Sequence, residues 1–454
     1  MSQLSNTSSA VFYRDLTATP PCVVSGKGVY FTDAQGKRYL DGSASASVVS
    51  IGHGRSEIFE ALAAQGQKLT FVYSMGFTHP YQEELARNLV DIAPDNMSAA
   101  YFTSGGSEAN ESAWKLARQY HIERGNASKY KAVARWQSYH GVTLGTLSLS
   151  GRTSWRDIYA PMLLPVPHVA PPYRYRCSYC AGQGGCSLAC ADDLERTILM
   201  EGPETIAVFF AEPIVGTTVS GLVPDADYYR RVREICDRYD VLFVADEVLC
   251  GYGRAGSPFA ISQWNVEPDI ITMGKGIGGG YAPLGAMLVS EKVREIFAEG
   301  SGRFVHGFTY SGTPSATFVG LEVNRIMTRE GLLTRAAGLE PFIRKELERL
   351  AGKHAAIGDI RGRGLLWGVE FVADRETRRP FPRDYAMTQK IVAHMRDNGV
   401  SIAAGVPLAN FGRDGDHIQI SPPLIIEQEE LSLIFEALDD ALTDIAGSYR
   451  RNVA

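Results

Sequence analysis

Between about Ile51 and Gly320 the chain alternates helix-like segments with short runs that are apolar throughout, and no other feature narrows the fold as much. "IAVFFAEP", "VLFVADE", "DIITMG" and "LGAMLVS" read as strands, and "AAYFTS" as a further one. "YQEELARNLVDIA", "SEANESAWKLARQYHIERG" and "DADYYRRVREICDRYD" read as amphipathic helices, the last with Asp225 or Asp227 near its start. Strands without a polar face need cover on both sides. The pattern therefore predicts an α/β protein with a mainly parallel sheet sandwiched by helices. Before it, "GVYFTDAQGKRYLDG" reads as a hairpin around Ala34-Gln35-Gly36. After it come a helix-rich passage, then "IGDIRGRGLLWGVEFV", read as a turn and a strand, and last a strongly periodic helix in "EQEELSLIFEALDDALTDIAGSY". The expected organisation is a large domain over residues 51–320. Residues 1–50 and 321–454 would join in a smaller α+β domain.

With 454 residues, 45% hydrophobic and 21% charged, the composition is that of an ordinary globular protein of two or three domains. A formal net charge of -6 argues against wrapping on nucleic acid, which needs a concentrated basic face. The longest apolar runs are too short to span a bilayer. "MSQLSNTSSAVFYRDL" has no basic start followed by an apolar stretch, so a soluble cytoplasmic protein is expected. Four of the seven cysteines, Cys177, Cys180, Cys186 and Cys190, crowd into "CSYCAGQGGCSLAC". Two close pairs could hold zinc in a structural site of four thiolates; the other reading is an insertion with reduced thiols, and no metal ligand is assigned. The stretch "PPYRYRCSYCAGQGGCSLAC", rich in Gly, Pro and Cys, is the expected mobile segment.

Open parallel sheets bind ligands at the carboxyl ends of their strands. Three such ends carry polar residues: Asp246 after "VLFVA", Glu212 after "IAVFFA", and Lys275 after "DIITMG". A carboxylate and a lysine there could form a structural ion pair or could face a cofactor between them. "FTSGGSEANESAWKLARQY" adds a strand, a glycine turn and a helix start. Gly105 and Gly106 allow close approach, Ser104 and Ser107 add hydroxyls, and the free N–H groups of the first turn attract an anion. The loop has neither P-loop nor dinucleotide-fingerprint spacing. A phosphate cradle, a lysine amine and a buried carboxylate are what pyridoxal 5'-phosphate requires. The cofactor's aldehyde condenses with the lysine, and the carboxylate keeps its ring nitrogen protonated.

The same segments resemble the class III, or omega-type, aminotransferases of the pyridoxal-phosphate fold type I superfamily, along nearly the whole chain. "WQSYHGVTLGTLSLSG" is similar to the family's Tyr-His-Gly segment, which implies that Tyr139 stacks on the cofactor ring with His140 beside it. "FFAEPIVG" implies Glu212 near the cofactor. "VLFVADEVLCGYGRAG", the most specific motif, implies Asp246 at the ring nitrogen and Val248 on the other ring face. "DIITMGKGIGGGYAPLGA" implies Lys275 as the lysine that holds the cofactor. "HGFTYSGTP" implies that Thr309 reaches the phosphate of a neighbouring subunit in a homodimer with shared sites, with a tetramer as the larger assembly left open. Leu249 stands where members acting on ornithine or 4-aminobutyrate usually have Gln, which leans toward the amine and omega-amino acid:pyruvate branch. In that branch a mobile arginine binds the substrate carboxylate; Arg413 in "ANFGRDGDHIQISPPL" is the nearest candidate. Its other reading is a solvated loop arginine beside Asp414 and Asp416.

Small residues in "DGSASASVVSIGHG" suggest a roomy entrance, and Tyr73 and Trp155 read as core or surface aromatics. His140 and His306 read as packed histidines rather than proton carriers, and Glu247 as half of a structural pair with an arginine. The expected reaction is transfer of an amino group from an amine or omega-amino acid to a keto acid, pyruvate by the branch resemblance, in a ping-pong sequence. The competing outcomes are a decarboxylase, aminomutase or racemase using the same cofactor. A zinc-stabilised, non-catalytic binding protein on this fold is the alternative from another class.

Overall fold

A computed structural model describes residues 9–180 and 185–453. Its strands in chain order are β1 (Val23–Lys27), β2 (Tyr30–Asp33), β3 (Arg38–Asp41), β4 (Met97–Thr103), β5 (Lys131–Arg135), β6 (His168–Val169), β7 (Ile206–Ala211), β8 (Leu242–Asp246), β9 (Ile270–Met273), β10 (Gly285–Ser290), β11 (Ile357–Arg363), β12 (Leu366–Phe371), β13 (Val400–Ser401), β14 (Ala403–Ala404) and β15 (Asp416–Ile420). The central sheet has seven strands in the order β4-β10-β9-β8-β7-β5-β6. β9, β8, β7, β5 and β6 run parallel, while β10 pairs antiparallel with both β9 and β4. The sheet is thus mostly parallel, with one reversed strand near an edge.

Alternation along the central strands splits their side chains between two buried layers. Phe243 and Ala245 of β8 join one apolar cluster, and Leu242 and Val244 the other. The second layer is covered by the Gly106–Glu123 helix through Ala113, Leu116, Ala117 and Tyr120. This parity decides where the strand-end polar groups point. Asp246 shares a face with Leu242 and Val244, Thr272 with Ile270, and Glu212 with Val208 and Phe210. All three therefore point toward the face that this helix covers.

Two smaller sheets stand apart from the central one. The hairpin β2–β3 forms around Ala34-Gln35-Gly36, and β3 pairs parallel with β13, so an N-terminal strand is joined to the C-terminal region. The other sheet has the order β11-β12-β15-β14. Here "IGDIRGR" is a strand rather than a turn. It pairs antiparallel with "LWGVEF" across Gly364, whose φ of 54° suits a glycine. The Pro314–Arg329 and Leu332–Lys353 helices are separated at Gly331, and Gln428–Val453 forms the last helix. Among the described residues, no helix is long and apolar enough to cross a membrane.

Of the cysteine-rich segment, residues 181–184 lie outside the described residues. Its start is tied down: Tyr173 donates to Glu370, Arg176 Nε donates to Glu370 at 2.7 Å, and Arg378 donates to the Tyr175 carbonyl at 2.5 Å. All seven cysteines are free thiols, and among the described residues no three His, Cys, Asp or Glu group to hold a metal ion.

Candidate active site

Because β7, β8 and β9 are parallel neighbours, their carboxyl ends lie side by side, and the polar residues there surround one cavity of about 160 Å³. Ser107, Tyr139, Glu212, Asp246, Val248 and Lys275 line it. So do Gly106 and His140, whereas Ser104 and Gly105 sit just upstream of the lining. A larger hollow of about 740 Å³ beside Trp114 and Arg118 contains none of the strand-end groups. The strand-end polar groups are gathered at the smaller one.

Asp246 is buried and closely held. His140 Nδ1 and Asn110 Nδ2 each donate to Oδ2 at 2.8 Å, and the Val248 N–H donates to Oδ1 at 3.1 Å. Asn110 is fixed in turn, donating to the His140 carbonyl at 2.8 Å and accepting from the Thr272 hydroxyl at 2.7 Å. His140 is therefore packed, and it orients the carboxylate. Asn110 escaped the sequence reading. The available signal was its position four residues after Gly106, one helical turn above the glycine loop.

Glu212 is also buried and receives the Tyr139 and Gly216 N–H groups at 2.9 Å each. Burial, with Asp246 adding repulsion, raises its pKa; His140 and the two N–H groups oppose the rise. Behind it lies buried Arg135, also missed in the sequence. Arg135 donates to the Glu212 carbonyl at 2.5 Å and to Tyr229 at 3.1 Å. An arginine ending the apolar run "KAVAR" was the signal for it.

Lys275 follows β9 and Gly274 and adopts a φ of 45°, an uncommon backbone for a side chain with a Cβ. The turn is held by Gly278 and Gly279 N–H groups donating to the Lys275 carbonyl at 3.1 and 3.2 Å. Its amine makes no hydrogen bond or ion pair among the described residues. Burial lowers its pKa, against the pull of Asp246 and Glu212 upward. A lysine held so, in reach of two carboxylates but paired to neither, is not a structural ion pair.

The Gly106–Glu123 helix begins with Gly105 as its cap residue and no side chain capping it. Its first N–H groups remain open to an anion beside Ser107. A Cβ at Gly106 would come within 2.7 Å of Val248 Cγ1, so glycine is required for this close approach. An uncapped helix start, an unpaired lysine and a fixed carboxylate on the facing wall fit the phosphate, aldehyde and ring nitrogen of pyridoxal phosphate.

The remaining candidates lie farther out. Thr309 is exposed and does not line this cavity. Arg413 sits on an exposed loop and pairs with Asp157 at 2.8 Å, not with Asp414 or Asp416. Glu247 is not paired with an arginine. It is buried and accepts the Ala260 and Ile261 N–H groups at 3.0 and 2.8 Å, and burial raises its pKa to about 7. His306 packs between Tyr101 and Phe304 and bonds Ser112 at 2.9 Å. Trp155 is half-buried and meets Tyr139 edge-on, with ring centres 6.0 Å apart. Tyr73 is exposed. In the entrance loop, Ala44, Ser45, Ala46 and Ser47 all have positive φ, and Asp41 accepts from the Ser45 N–H at 2.9 Å.

Residues 12–442 match the family model described as aminotransferase class-III. The chain is 38% identical over 431 residues to the "uncharacterized aminotransferase YodT" of Bacillus subtilis, covering 94% of this chain and 97% of that one. It is 35% identical over 421 residues to a putrescine–pyruvate aminotransferase of Pseudomonas aeruginosa, covering 90% and 87%. A PLP-bound amine transaminase from an uncultivated Pseudomonas species superimposes with a TM-score of 0.88 at 33% identity, covering 96% of this chain and 97% of that one. The chain belongs to the class III aminotransferases, enzymes that depend on pyridoxal phosphate and move an amino group from a donor to a keto acid.

Proposed function

We propose that the chain takes the amino group of an amine or omega-amino acid and passes it to pyruvate in a ping-pong sequence. The observation that carries this reading is the Lys275 amine, unpaired on the cavity beside Asp246 and Glu212. Its depressed pKa favours the neutral amine, which can both attack a carbonyl and accept a proton. Bound pyridoxal phosphate supplies an aldehyde that takes up the amino group and a ring that accepts the electrons freed at the donor carbon. Lys275 is then the group that moves the proton at that carbon. Asp246, oriented by His140 and Asn110, keeps a positive charge on the ring nitrogen. Tyr139 and Val248 would pack on the ring, and Ser104, Gly105, Gly106 and Ser107 would hold the phosphate. Glu212 fixes the backbone of Tyr139.

Leu249 lines the cavity, buried against Ile214 and Cys250, so the wall here is apolar. That agrees with amine donors, and the similarity to a putrescine–pyruvate enzyme supports pyruvate as acceptor. The reading also includes a cytoplasmic homodimer. Met75, Phe77, Val305 and Tyr310 leave apolar surface open around the stretch that carries Thr309, which would reach the phosphate of the other copy. Residues 51–320 would form the cofactor domain, and residues 1–50 with 321–454 the smaller one.

Replacing Lys275 with Ala should abolish turnover and remove the absorbance that borohydride bleaches; a variant that still turns over ends the assignment. Incubation with an amine donor alone should release one equivalent of carbonyl product per site. Carbon dioxide release, or an isomerised donor, would instead indicate a decarboxylase, an aminomutase or a racemase.

A further inference from the structure

We propose that Arg152 is a carboxylate-binding residue on the wall of this active site, gripping the acid group of the keto-acid acceptor or of an omega-amino acid donor. The inference rests on the aminotransferase reading and deepens it. Arg152 is fixed beside Tyr139 by backbone bonds in both directions. The Gly151 N–H donates to the Ser138 carbonyl, and the Gln137 N–H to the Gly151 carbonyl, at 3.0 Å each. Gly151 packs directly on the backbone of residues 135–137, where only glycine fits: a Cβ there would meet the Arg135 carbonyl at 2.3 Å. The Arg152 guanidinium carbon lies 3.7 Å from the centre of the Trp155 ring, and that ring stands edge-on to Tyr139. Guanidinium, indole and phenol thus form one wall continuing outward from the cavity.

What singles out Arg152 is its lack of a counter-charge. Its Nε is buried with no hydrogen-bond partner, and no carboxylate among the described residues forms an ion pair with it. Its neighbours are served: Arg156 donates to three main-chain carbonyls, and Arg413 holds Asp157. The other charge near the Trp155 ring is a second cation, Arg14, at 5.6 Å. Burial lowers the pKa of Arg152 to about 10, with only Tyr139 to offset it, so the group stays charged at neutral pH. Half-burying a cation without a partner is costly, and a planar fork stacked on an aromatic ring is pre-set for a carboxylate. Arg413, by contrast, would have to release Asp157 before serving a substrate.

The test uses the holoenzyme and compares wild type with R152Q, R152K and R413Q. Putrescine is the donor without a carboxylate; β-alanine and 4-aminobutyrate are donors with one; pyruvate and 2-oxoglutarate are the acceptors. Calorimetric titration with propionate reads binding without turnover. R152Q should raise KM for carboxylate substrates, and Kd for propionate, about 10- to 100-fold, the loss of a charge-assisted pair. KM for putrescine should stay unchanged, and R152K should recover part of the loss. A response confined to keto acids assigns the subsite to the acceptor, and one shared with β-alanine assigns it to both. Equal changes for putrescine and β-alanine, no change at all, or propionate affinity lost only in R413Q would each overturn the proposal. Should wild type move no amino group from any donor, the functional reading fails, while propionate binding still decides the role of Arg152.

Discussion

The floor of the cavity and its rim are built on opposite principles. On the floor, at the ends of β7, β8 and β9, the carboxylates are buried and supplied with N–H donors: three for Asp246 and two for Glu212. Among the described residues the Lys275 amine and the far ring nitrogen of His140, Nε2, are left open. On the rim, formed by residues 152–159 and 407–415, Arg152 and Arg413 are loosely held. Phe411 is 91% exposed, Arg413 pairs with Asp157 across solvent, and Arg152 has no carboxylate. A floor with no slack fixes which bond is activated. A rim with unpaired or exchangeable charges can accept now an amine, now an acid. The difference separates what catalysis requires from what substrate choice requires.

The sharpest way to break this contrast is Asp246→Asn. Asparagine keeps the volume, but it removes the negative charge that would face the ring nitrogen and turns an amide toward the donors His140 and Asn110. The rate should fall about 100- to 1,000-fold, as when a preorganised electrostatic group is lost. Substrate preference, set at the rim, should be unchanged. Measuring kcat with two donors of different size checks both halves; a near-normal rate would mean that the floor does not govern the chemistry.

Much of the floor was legible in the chain. The runs ending at Glu212, Asp246 and Lys275 are apolar on nearly every residue, and a polar group closing such a run is conspicuous. Parity within each run also tells which sheet face the group shares. Asn110 was not visible in this way, because it is a polar residue inside an amphipathic helix, whereas Arg135 closes the short run "KAVAR" and carries the same signal. Only the packing of helix on sheet brings Asn110 to Asp246. Glu247 was misread for a related reason. Its partners are main-chain N–H groups at Ala260 and Ile261, thirteen and fourteen residues away, and main-chain donors leave no trace in residue identity. The rim was less legible still, since Arg152 and Arg413 look alike in sequence and differ only in what stands beside them.

An intermediate effect should come from beneath the floor. His121, on the helix that covers Asp246, is buried and donates Nε2–H to the Ala207 carbonyl of β7 at 3.0 Å. Burial lowers its pKa to about 4, from an ordinary value of 6.5. The unfolded chain therefore binds a proton before the folded one does. The stabilising contribution is present above pH 6.5 and is lost as pH falls toward 4. Between pH 7 and pH 5 the loss should be about 2 kcal/mol. Urea denaturation at the two pH values, compared with His121→Gln, should show a shallower pH dependence in the variant. Parallel curves would mean that this helix is not sealed on the sheet as described.

The smallest effect belongs to the rim. Arg413 and Asp157 are 63% and 51% exposed, so their ion pair is well solvated, and Asp157→Ala should change the unfolding free energy by less than about 0.5 kcal/mol. The kinetic consequence is the more informative one. Freed of Asp157, Arg413 can turn elsewhere at little cost. If it then reaches the cavity, KM for pyruvate and β-alanine will fall while KM for putrescine holds. If Arg152 already fills that role, all three will stay where they are, because a second guanidinium adds little to a carboxylate already held by two parallel hydrogen bonds.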